Sequence, residues 1–279
     1  MGKKQKPKVK PWTKKRIRRL QRNDGLTMKL VTEYTMESVV ESTASRHPKR
    51  VALRLFRDEE SAITFGALKH AKDAIGLFLI EQGFEKGDKI ALLGEGCPTW
   101  LTVYFGITSI GCIAVPILPD FSAKEVDQIL SHSGAKAVVV NIKHFEKTRP
   151  FVEENPDGLI RMEDLFHIPQ PISAQLETKE QFTWAPGRDI RRRKISEKAA
   201  ALRSGRLAQE DDIASIIYTS GTTGSSKAVM LTHKNLVWNA DISSDVYIKL
   251  KPGNRVLSIL PISHVYEFSV GQILELLCG

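Results

Sequence analysis

The chain contains, between residues 218 and 227, the run Tyr218-Thr219-Ser220-Gly221-Thr222-Thr223-Gly224-Ser225-Ser226-Lys227. It continues an apolar stretch, residues 213–218, that is typical of a buried strand. The glycines let the backbone turn tightly and expose its amide hydrogens, the hydroxyls add donors, and Lys227 adds a positive charge. A strand that leads into such a loop, with a helix soon after it, commonly holds a nucleoside triphosphate. The run therefore predicts a phosphate-binding loop rather than a polar surface turn.

The spacing of glycine and lysine separates two classes of phosphate loop. The loop of nucleotide hydrolases reads G-x-x-x-x-G-K-[ST]. Lys227 does stand six positions after Gly221, but Ser226 precedes it in place of glycine. Ala228 follows it where a magnesium-binding hydroxyl is required. The sequence therefore argues against a hydrolase loop.

The run instead resembles the signature YTSGTTGxPKGV of the adenylate-forming enzymes, a superfamily of acyl-CoA synthetases, luciferases and peptide-synthetase adenylation domains. Residues 217–224 fit without exception, whereas Ser226 and Ala228 replace the usual proline and glycine. A second stretch, Leu260-Pro261-Ile262-Ser263-His264-Val265-Tyr266-Glu267, resembles the next motif of the family. Its ending is similar to that of the long-chain fatty acid branch. The resemblance covers about residues 34–279.

The resemblance implies a two-step reaction. In the family a carboxylate attacks the α-phosphate of ATP to give an acyl-adenylate and pyrophosphate, and the thiol of coenzyme A then displaces AMP. Lys227, the loop amides and Mg²⁺ would neutralise the β- and γ-phosphates, with Thr219 as a hydroxyl ligand of Mg²⁺ or a residue next to it. His264 would lie beside the reacting groups, and Tyr266 would help to shape the acid pocket. The implied ATP-binding residues are Tyr218, Thr219, Ser220, Gly221, Thr222, Thr223, Gly224, Ser225 and Lys227.

Predicted strands and helices alternate along the chain. This succession predicts an α/β fold, a doubly wound and mostly parallel sheet flanked by helices, with ligands at the carboxyl ends of the strands. A capping box at Ser122 and Glu125 opens one helix, and Gly134 ends it. Strands are predicted at residues 51–56, 62–65, 89–93, 112–117, 136–141 and 213–218. Helices are predicted at residues 66–82, 100–111, 122–133, 232–244 and 268–277, and a solvated basic helix at 188–206.

The positive charge of the chain is concentrated in its first residues. The net charge is +9, from 41 basic and 32 acidic residues. Residues 1–22 hold eleven basic and no acidic side chains, which leaves 30 basic against 32 acidic, a net of −2, for the rest. We expect residues 1–27 to form a solvated basic tail, with Met28 as an alternative start. Residues 3–22 could contact an anionic membrane or nucleic acid, and the near-neutral body argues against nucleic acid.

Composition is typical of a cytoplasmic enzyme that contacts a membrane at most peripherally. The three cysteines are widely spaced and odd in number, which indicates a reducing compartment rather than a disulfide framework. The tail lacks the apolar segment of a secretory signal. Residues 100–118 carry no charge, but their glycines, threonines and proline predict a buried helix and strand rather than a membrane span.

The ending of the chain leaves three functions open. Family members continue for about as long again, and that part supplies adenine, ribose and magnesium contacts and a lid lysine. We therefore expect residues 28–279 to be the N-terminal part of an AMP-binding domain, truncated and inactive alone. The leading hypothesis is the N-terminal part of a long-chain fatty acid–CoA ligase. The alternatives are a catalytically dead fragment that binds a partner or membrane, and an enzyme that loads an acyl carrier protein.

Overall fold

The computed structural model describes residues 30–165, 205–219, 227–246 and 250–279, and these form eight strands. The strands are β1 (Val51–Leu53), β2 (Ile63–Thr64), β3 (Lys89–Leu93), β4 (Ile113–Ile117), β5 (Ala137–Val140), β6 (Leu159–Arg161), β7 (Ile213–Thr219) and β8 (Lys227–Thr232). Strands β1 and β2 form a small antiparallel sheet. The other six form one sheet in the order β6-β5-β3-β4-β7-β8. Every neighbouring pair in it is parallel except β7 and β8.

Helices cover both faces of the large sheet. The α-helices are α1 (Met36–Arg46), α2 (Phe65–Glu81), α3 (Pro98–Ser109), α4 (Ala123–Ser133), α5 (Arg149–Glu154), α6 (Met162–Leu165), α7 (His233–Val246) and α8 (Leu274–Cys278). A π-helix, Glu267–Ile273, leads directly into α8. The predicted α/β architecture, a mostly parallel sheet flanked by helices, is confirmed.

Alternate residues of β3 enter two different cores. Ile90 and Leu92 pack into the first core, which includes α1, α2, α3 and α7. Ala91 and Leu93 pack into the second, against α4 and α5. All four side chains are fully buried. Because both faces of the strand are covered, its sequence is a continuous apolar run rather than an alternating one.

The chain reverses its direction of travel across the sheet between β3 and β4. From β3 it passes through α3 to β4 on one side, and from β4 it passes through α4 to β5 on the other side of β3. Helices α3 and α4 accordingly contribute to opposite cores. In open α/β sheets, the carboxyl ends of the strands at such a reversal form the usual ligand crevice.

Several predicted boundaries are confirmed because local signals determine them. Strand β3 has the predicted ends. Helix α4 has the predicted capping box, in which Ser122 and Glu125 bond each other's backbone N–H, and it ends at Gly134 with a φ of 63°. A left-handed residue of this kind commonly closes a helix. The uncharged residues 100–118 fold as the predicted helix and strand, separated by Gly111 with a φ of 73°.

The two strands of the small sheet, β1 and β2, are shorter than the strands predicted at 51–56 and 62–65. The chain turns between β1 and β2, where Arg57 has a φ of 61°. Asp58 Oδ1 accepts the N–H groups of Glu60 and Ser61 at 3.1 and 3.2 Å. These local bonds compete with a strand ladder, so the two strands end early.

Two other elements differ from the prediction. A helix was expected soon after the residue 218–227 run, but the chain first returns as the antiparallel strand β8. A regular amphipathic helix was expected at 268–277, but its first part is the π-helix. There the buried Glu267 accepts a bond from Gln272 Nε2 at 3.2 Å, five residues on. A Cβ on Gly271 would lie 2.5 Å from Glu267 Oε1, so a larger residue there would displace the Glu267 carboxylate.

A buried ammonium group joins α1 to α2. The Lys72 side chain is fully buried, and its Nζ lies 2.6 Å from Glu37 and 3.0 Å from both Glu41 and Asp73. These three carboxylates are the one cluster with metal-ligand spacing among the described residues. Because Lys72 already supplies the positive charge at their centre, we interpret the cluster as an ion-pair network.

Several predictions lie outside the described residues. They are the basic tail at 1–27, most of the basic helix at 188–206 with its three consecutive arginines, and loop residues Ser220, Gly221, Thr222, Thr223, Gly224 and Ser225. In the described part of the chain, the helices fall short of the length and apolar character that crossing a bilayer requires.

Candidate active site

A small cavity lies at the reversal point of the sheet. It has a volume of about 280 Å³. Its walls come from the loops that follow β3 and β4 and from an extended segment before the π-helix. This position agrees with the expectation that ligands bind at the carboxyl ends of the strands. The lining residues are Gly94, Glu95, Gly96, Pro119, Asp120, Ser258, Ile259, Leu260, Pro261 and Ile262.

An ion-pair network holds Glu95 at the rim of this cavity. Its Oε1 lies 2.6 Å from Lys143 Nζ and 3.0 Å from His144 Nε2. The hydrogen bond from Lys143, helped by the one from His144, holds the pKa of the Glu95 carboxyl below its usual value. Lys147 Nζ donates to the backbone carbonyl of Phe121 at 2.9 Å. The segment after β5 therefore fixes the loops that follow both β3 and β4.

Strands β7 and β8 flank the predicted phosphate loop in the chain. Strand β7 is parallel to β4, so its carboxyl end lies at the same edge of the sheet as the cavity. Thr219, the last residue of β7, is paired with Lys227, the first of β8. Both side chains are exposed. The hairpin therefore places a hydroxyl and an ammonium group side by side at the base of the loop.

The Tyr218 side chain, near the carboxyl end of β7, points into the protein. Its side chain is buried in the second core, against α4. Its hydroxyl lies 2.7 Å from His132 Nδ1, and the two rings meet edge to face with centroids 5.7 Å apart. Burial raises the pKa of the Tyr218 hydroxyl. Tyr218 thus joins the base of the loop to the last turn of α4.

The predicted His264 segment contributes to the cavity through its first residues. Leu260, Pro261 and Ile262 line the cavity, whereas His264 and Tyr266 lie just beyond it and are exposed. The His264 N–H donates to the Pro261 carbonyl at 2.9 Å, which closes a turn. His264 Nδ1 accepts the Tyr266 N–H at 3.3 Å. This bond orients the imidazole relative to the backbone.

Sequence reasoning missed the cavity residues of β3 and β4. Gly94, Glu95 and Gly96 directly follow a strand that was predicted with the correct ends, and Asp120 follows the next strand along the chain. The rule that ligands bind where parallel strands end could have selected them. What the sequence could not supply is the strand order, which makes these two ends neighbours.

A buried histidine that directly follows β8 joins the hairpin to α1. His233, the first residue of α7, accepts the Met36 N–H on Nδ1 at 3.0 Å. Burial lowers the pKa of His233 to about 4, against the opposing effect of Asp212. The turn from β8 to α7 is capped by Thr232, whose Oγ1 accepts the Asn235 N–H at 3.1 Å.

Comparisons with known proteins agree with this fold. The family described as AMP-binding enzyme matches residues 40–279. The long-chain-fatty-acid–CoA ligase of Bacillus subtilis (strain 168) is 26% identical over 243 residues, which cover 83% of this chain and 42% of the relative. The mitochondrial medium-chain acyl-CoA ligase ACSF2 of Homo sapiens is 26% identical over 273 residues, covering 91% of this chain and 43% of the relative. The chain thus spans less than half the length of these relatives.

Solved structures share the fold. The anthranilate CoA ligase AuaEII, in complex with anthranoyl-AMP, superimposes with a TM-score of 0.69 at 19% identity, covering 88% of this chain and 43% of that one. The N-terminal domain of FACL13 from Mycobacterium tuberculosis gives a TM-score of 0.62 at 23% identity, covering 88% of this chain and 55% of that one. With the family match extending over most of its length, the chain belongs to the AMP-binding enzyme family, among relatives that are acyl-CoA ligases.

Proposed function

We propose that this chain supplies the triphosphate-binding part of the site of an AMP-forming fatty acid–CoA ligase. The observation that carries the proposal is the β7–β8 hairpin, which places Thr219 and Lys227 together at the carboxyl edge of the sheet. The predicted glycine- and hydroxyl-rich loop connects these two residues. Backbone amides and a lysine at such an edge suit a polyphosphate.

The reaction begins with two anions that repel each other, a fatty acid carboxylate and ATP. Lys227 offsets the negative charge of the β- and γ-phosphates as pyrophosphate leaves, and the loop amides donate to the same oxygens. His264 acts beside the reacting carboxylate, and Tyr266 shapes the acid pocket. Coenzyme A is the acceptor thiol of the second step, in keeping with the names of the relatives. The matching relatives include both long-chain and medium-chain ligases.

Magnesium fits this donor set. Mg²⁺ usually keeps several waters and binds one or two protein oxygens together with substrate phosphates. The exposed Thr219 hydroxyl, next to the loop, is an oxygen of this kind. Bound Mg²⁺ would neutralise phosphate charge during the first step.

The triphosphate site is tested by binding rather than by turnover. We expect inorganic tripolyphosphate and MgATP to bind the chain, and Lys227→Ala to weaken both by about tenfold, since a charge-assisted contact contributes roughly 1.5 kcal/mol or more. Lys124→Ala removes an exposed lysine on α4 and is the matched control. Equal affinities for wild type and Lys227→Ala would show that Lys227 does not contribute to triphosphate binding.

A second candidate function, a binding module without turnover, is favoured by exposed apolar side chains on β8, α7 and the segment before His264. Exposed apolar groups of this kind often mark contact surfaces. This candidate does not need the triphosphate site, so a folded chain that fails to bind tripolyphosphate would favour it. The residues are Val229, Met230, Trp238, Val256, Leu257, Ile259 and Leu260.

The basic residues between 3 and 22 support a further proposal, reversible contact with the anionic inner face of a membrane by a cytoplasmic protein. Each basic residue near such a surface contributes about 1 kcal/mol at most, and salt screens the attraction. We expect binding to phosphatidylserine vesicles that weakens steeply between low and physiological salt. A variant that starts at Met28 should lose this binding, and equal binding by that variant would exclude the tail.

A further inference from the structure

Tyr218 is held at its hydroxyl end by one side chain from another element. The Tyr218 ring is 5% exposed, and its hydroxyl lies 2.7 Å from His132 Nδ1. The rings are almost perpendicular, at 88°. His132 occupies the last turn of α4, whose end Gly134 fixes. In the neutral tautomer with its proton on Nε2, the imidazole accepts the Tyr218 hydroxyl proton on Nδ1.

This contact lies beyond the point at which β7 pairs with β4. The pairing of β7 with β4 joins Ser215 to Ala114, three residues before Tyr218. On its other side β7 is paired only with β8, which is the last strand of the sheet. The Tyr218 side chain therefore fixes the carboxyl end of β7 beyond its ladder contact with β4, one residue before Thr219.

A neutral imidazole is well suited to this position. Glutamate or aspartate could also accept the hydroxyl proton, but a carboxylate next to a polyphosphate loop would repel the ligand. An apolar residue could pack against the ring but would not fix the direction of the hydroxyl. Histidine accepts the bond without adding negative charge.

We propose that His132 is a positioning residue of the triphosphate site, which holds Tyr218 and thereby fixes the position of Thr219 and of Lys227 opposite it. The inference rests on the proposed function of the hairpin. It adds to that function a residue from a different helix, 86 positions earlier in the chain.

The test measures dissociation constants for tripolyphosphate and MgATP together with the thermal midpoint of each variant. His132→Leu removes the acceptor, His132→Gln keeps an acceptor oxygen, and Tyr218→Phe removes the donor. His70→Leu, at an exposed histidine on α2, is the control. A neutral hydrogen bond contributes about 0.5–1.5 kcal/mol, so we expect His132→Leu and Tyr218→Phe each to raise the dissociation constants about three- to tenfold.

The outcomes separate this inference from the proposed function. Support consists of weaker binding by both single variants, no further loss in the His132→Leu/Tyr218→Phe double variant, and recovery with His132→Gln. The inference is overturned if the affinities of the variants are unchanged, if the losses of affinity add up in the double variant, or if His132→Leu and His132→Gln lose affinity equally. In each of these cases Lys227→Ala still tests the triphosphate site itself. If wild type binds neither tripolyphosphate nor MgATP, both the role of His132 and the proposed triphosphate site are wrong. If Tyr218→Phe does not fold, the two His132 variants decide, because that side chain is exposed.

Discussion

Thr219 and Lys227 lie opposite each other in the β7–β8 ladder, although seven residues separate them in the chain. Directly opposed residues on neighbouring antiparallel strands have Cβ atoms about 4.5–5.5 Å apart. The hairpin therefore turns the two ends of one sequence motif into a single hydroxyl–ammonium pair. His264 belongs to a different segment, residues 260–267, so the proposed roles of this pair and of His264 can be tested by separate substitutions.

His264→Ala should slow the chemical step while leaving triphosphate binding intact. The exposed imidazole is placed by its own backbone, through bonds within residues 261–266, so its removal should leave the β7–β8 hairpin undisturbed. In a protein that joins this chain to the remaining part of its relatives, we expect about a 10²-fold slower acyl-adenylate formation. Fatty-acid-dependent ATP–pyrophosphate exchange measures the rate, and a matching loss of MgATP affinity would contradict this division of roles.

Lys72→Met should destabilise the fold. It leaves the Glu37, Glu41 and Asp73 carboxylates without the buried cation that they surround. Loss of one partner of a buried ion pair costs about 3–5 kcal/mol, and we expect about 2–4 kcal/mol here because the carboxylates are partly exposed. Lys69→Met is the control, since Lys69 pairs with Glu41 and Asp73 from a more exposed position. Urea unfolding measures the free energy of unfolding of both variants. Equal losses of stability in the two variants would contradict the role of burial.

The parts of the fold that follow local rules could be predicted from the sequence. The ends of β3 follow from an apolar run, and the ends of α4 follow from Ser122, Glu125 and Gly134, because these signals lie within or next to the element. The motif around Thr219 also predicts a triphosphate site, and the binding measurements proposed above test that prediction.

Long-range contacts could not be predicted in this way. The bond between His132 and Tyr218 joins residues 86 apart, and neither residue has a local pattern that identifies its partner. The return of residues 227–232 as an edge strand depends on pairing with β7 rather than on propensity. The cavity depends on the order of β3 and β4 in the sheet, which a list of elements does not contain.

The stability of the protein should fall in acid through His233. Burial lowers the pKa of this imidazole from 6.5 to about 4. The unfolded chain therefore takes up a proton below pH 6.5 that the folded chain resists until pH 4, so the contribution is complete above 6.5 and is lost towards 4. At 1.36 kcal/mol per pKa unit, the loss approaches about 3 kcal/mol. His233→Asn retains an acceptor for the Met36 N–H, and its unfolding free energy should vary less over this window; an unchanged slope would exclude His233 as the cause.

Glu275→Gln should stabilise the protein at alkaline pH. Burial, together with Glu267, raises the pKa of the Glu275 carboxyl from 4.5 to about 8. The folded chain therefore holds a proton between pH 4.5 and 8 that the unfolded chain has released, so stability is lost as the pH rises through this window. Glutamine cannot ionise and removes this loss. The thermal midpoints of wild type and variant should agree near pH 4 and diverge by pH 8, and parallel curves would argue against the shift.

We predict that residues 1–279 alone bind triphosphate weakly and do not turn over. In the proposed function the β7–β8 hairpin contributes phosphate contacts, and we expect the adenine, ribose and lid-lysine contacts to come from the part of the relatives that this chain does not cover. Loss of one preorganised donor lowers a rate by about 10²–10³, and here several would be lost together. The assay is fatty-acid-dependent ATP–pyrophosphate exchange and acyl-CoA formation, with a cooperative thermal unfolding transition as the control for folding. Turnover comparable to that of an intact ligase would show that the chain is sufficient for catalysis and would contradict the prediction.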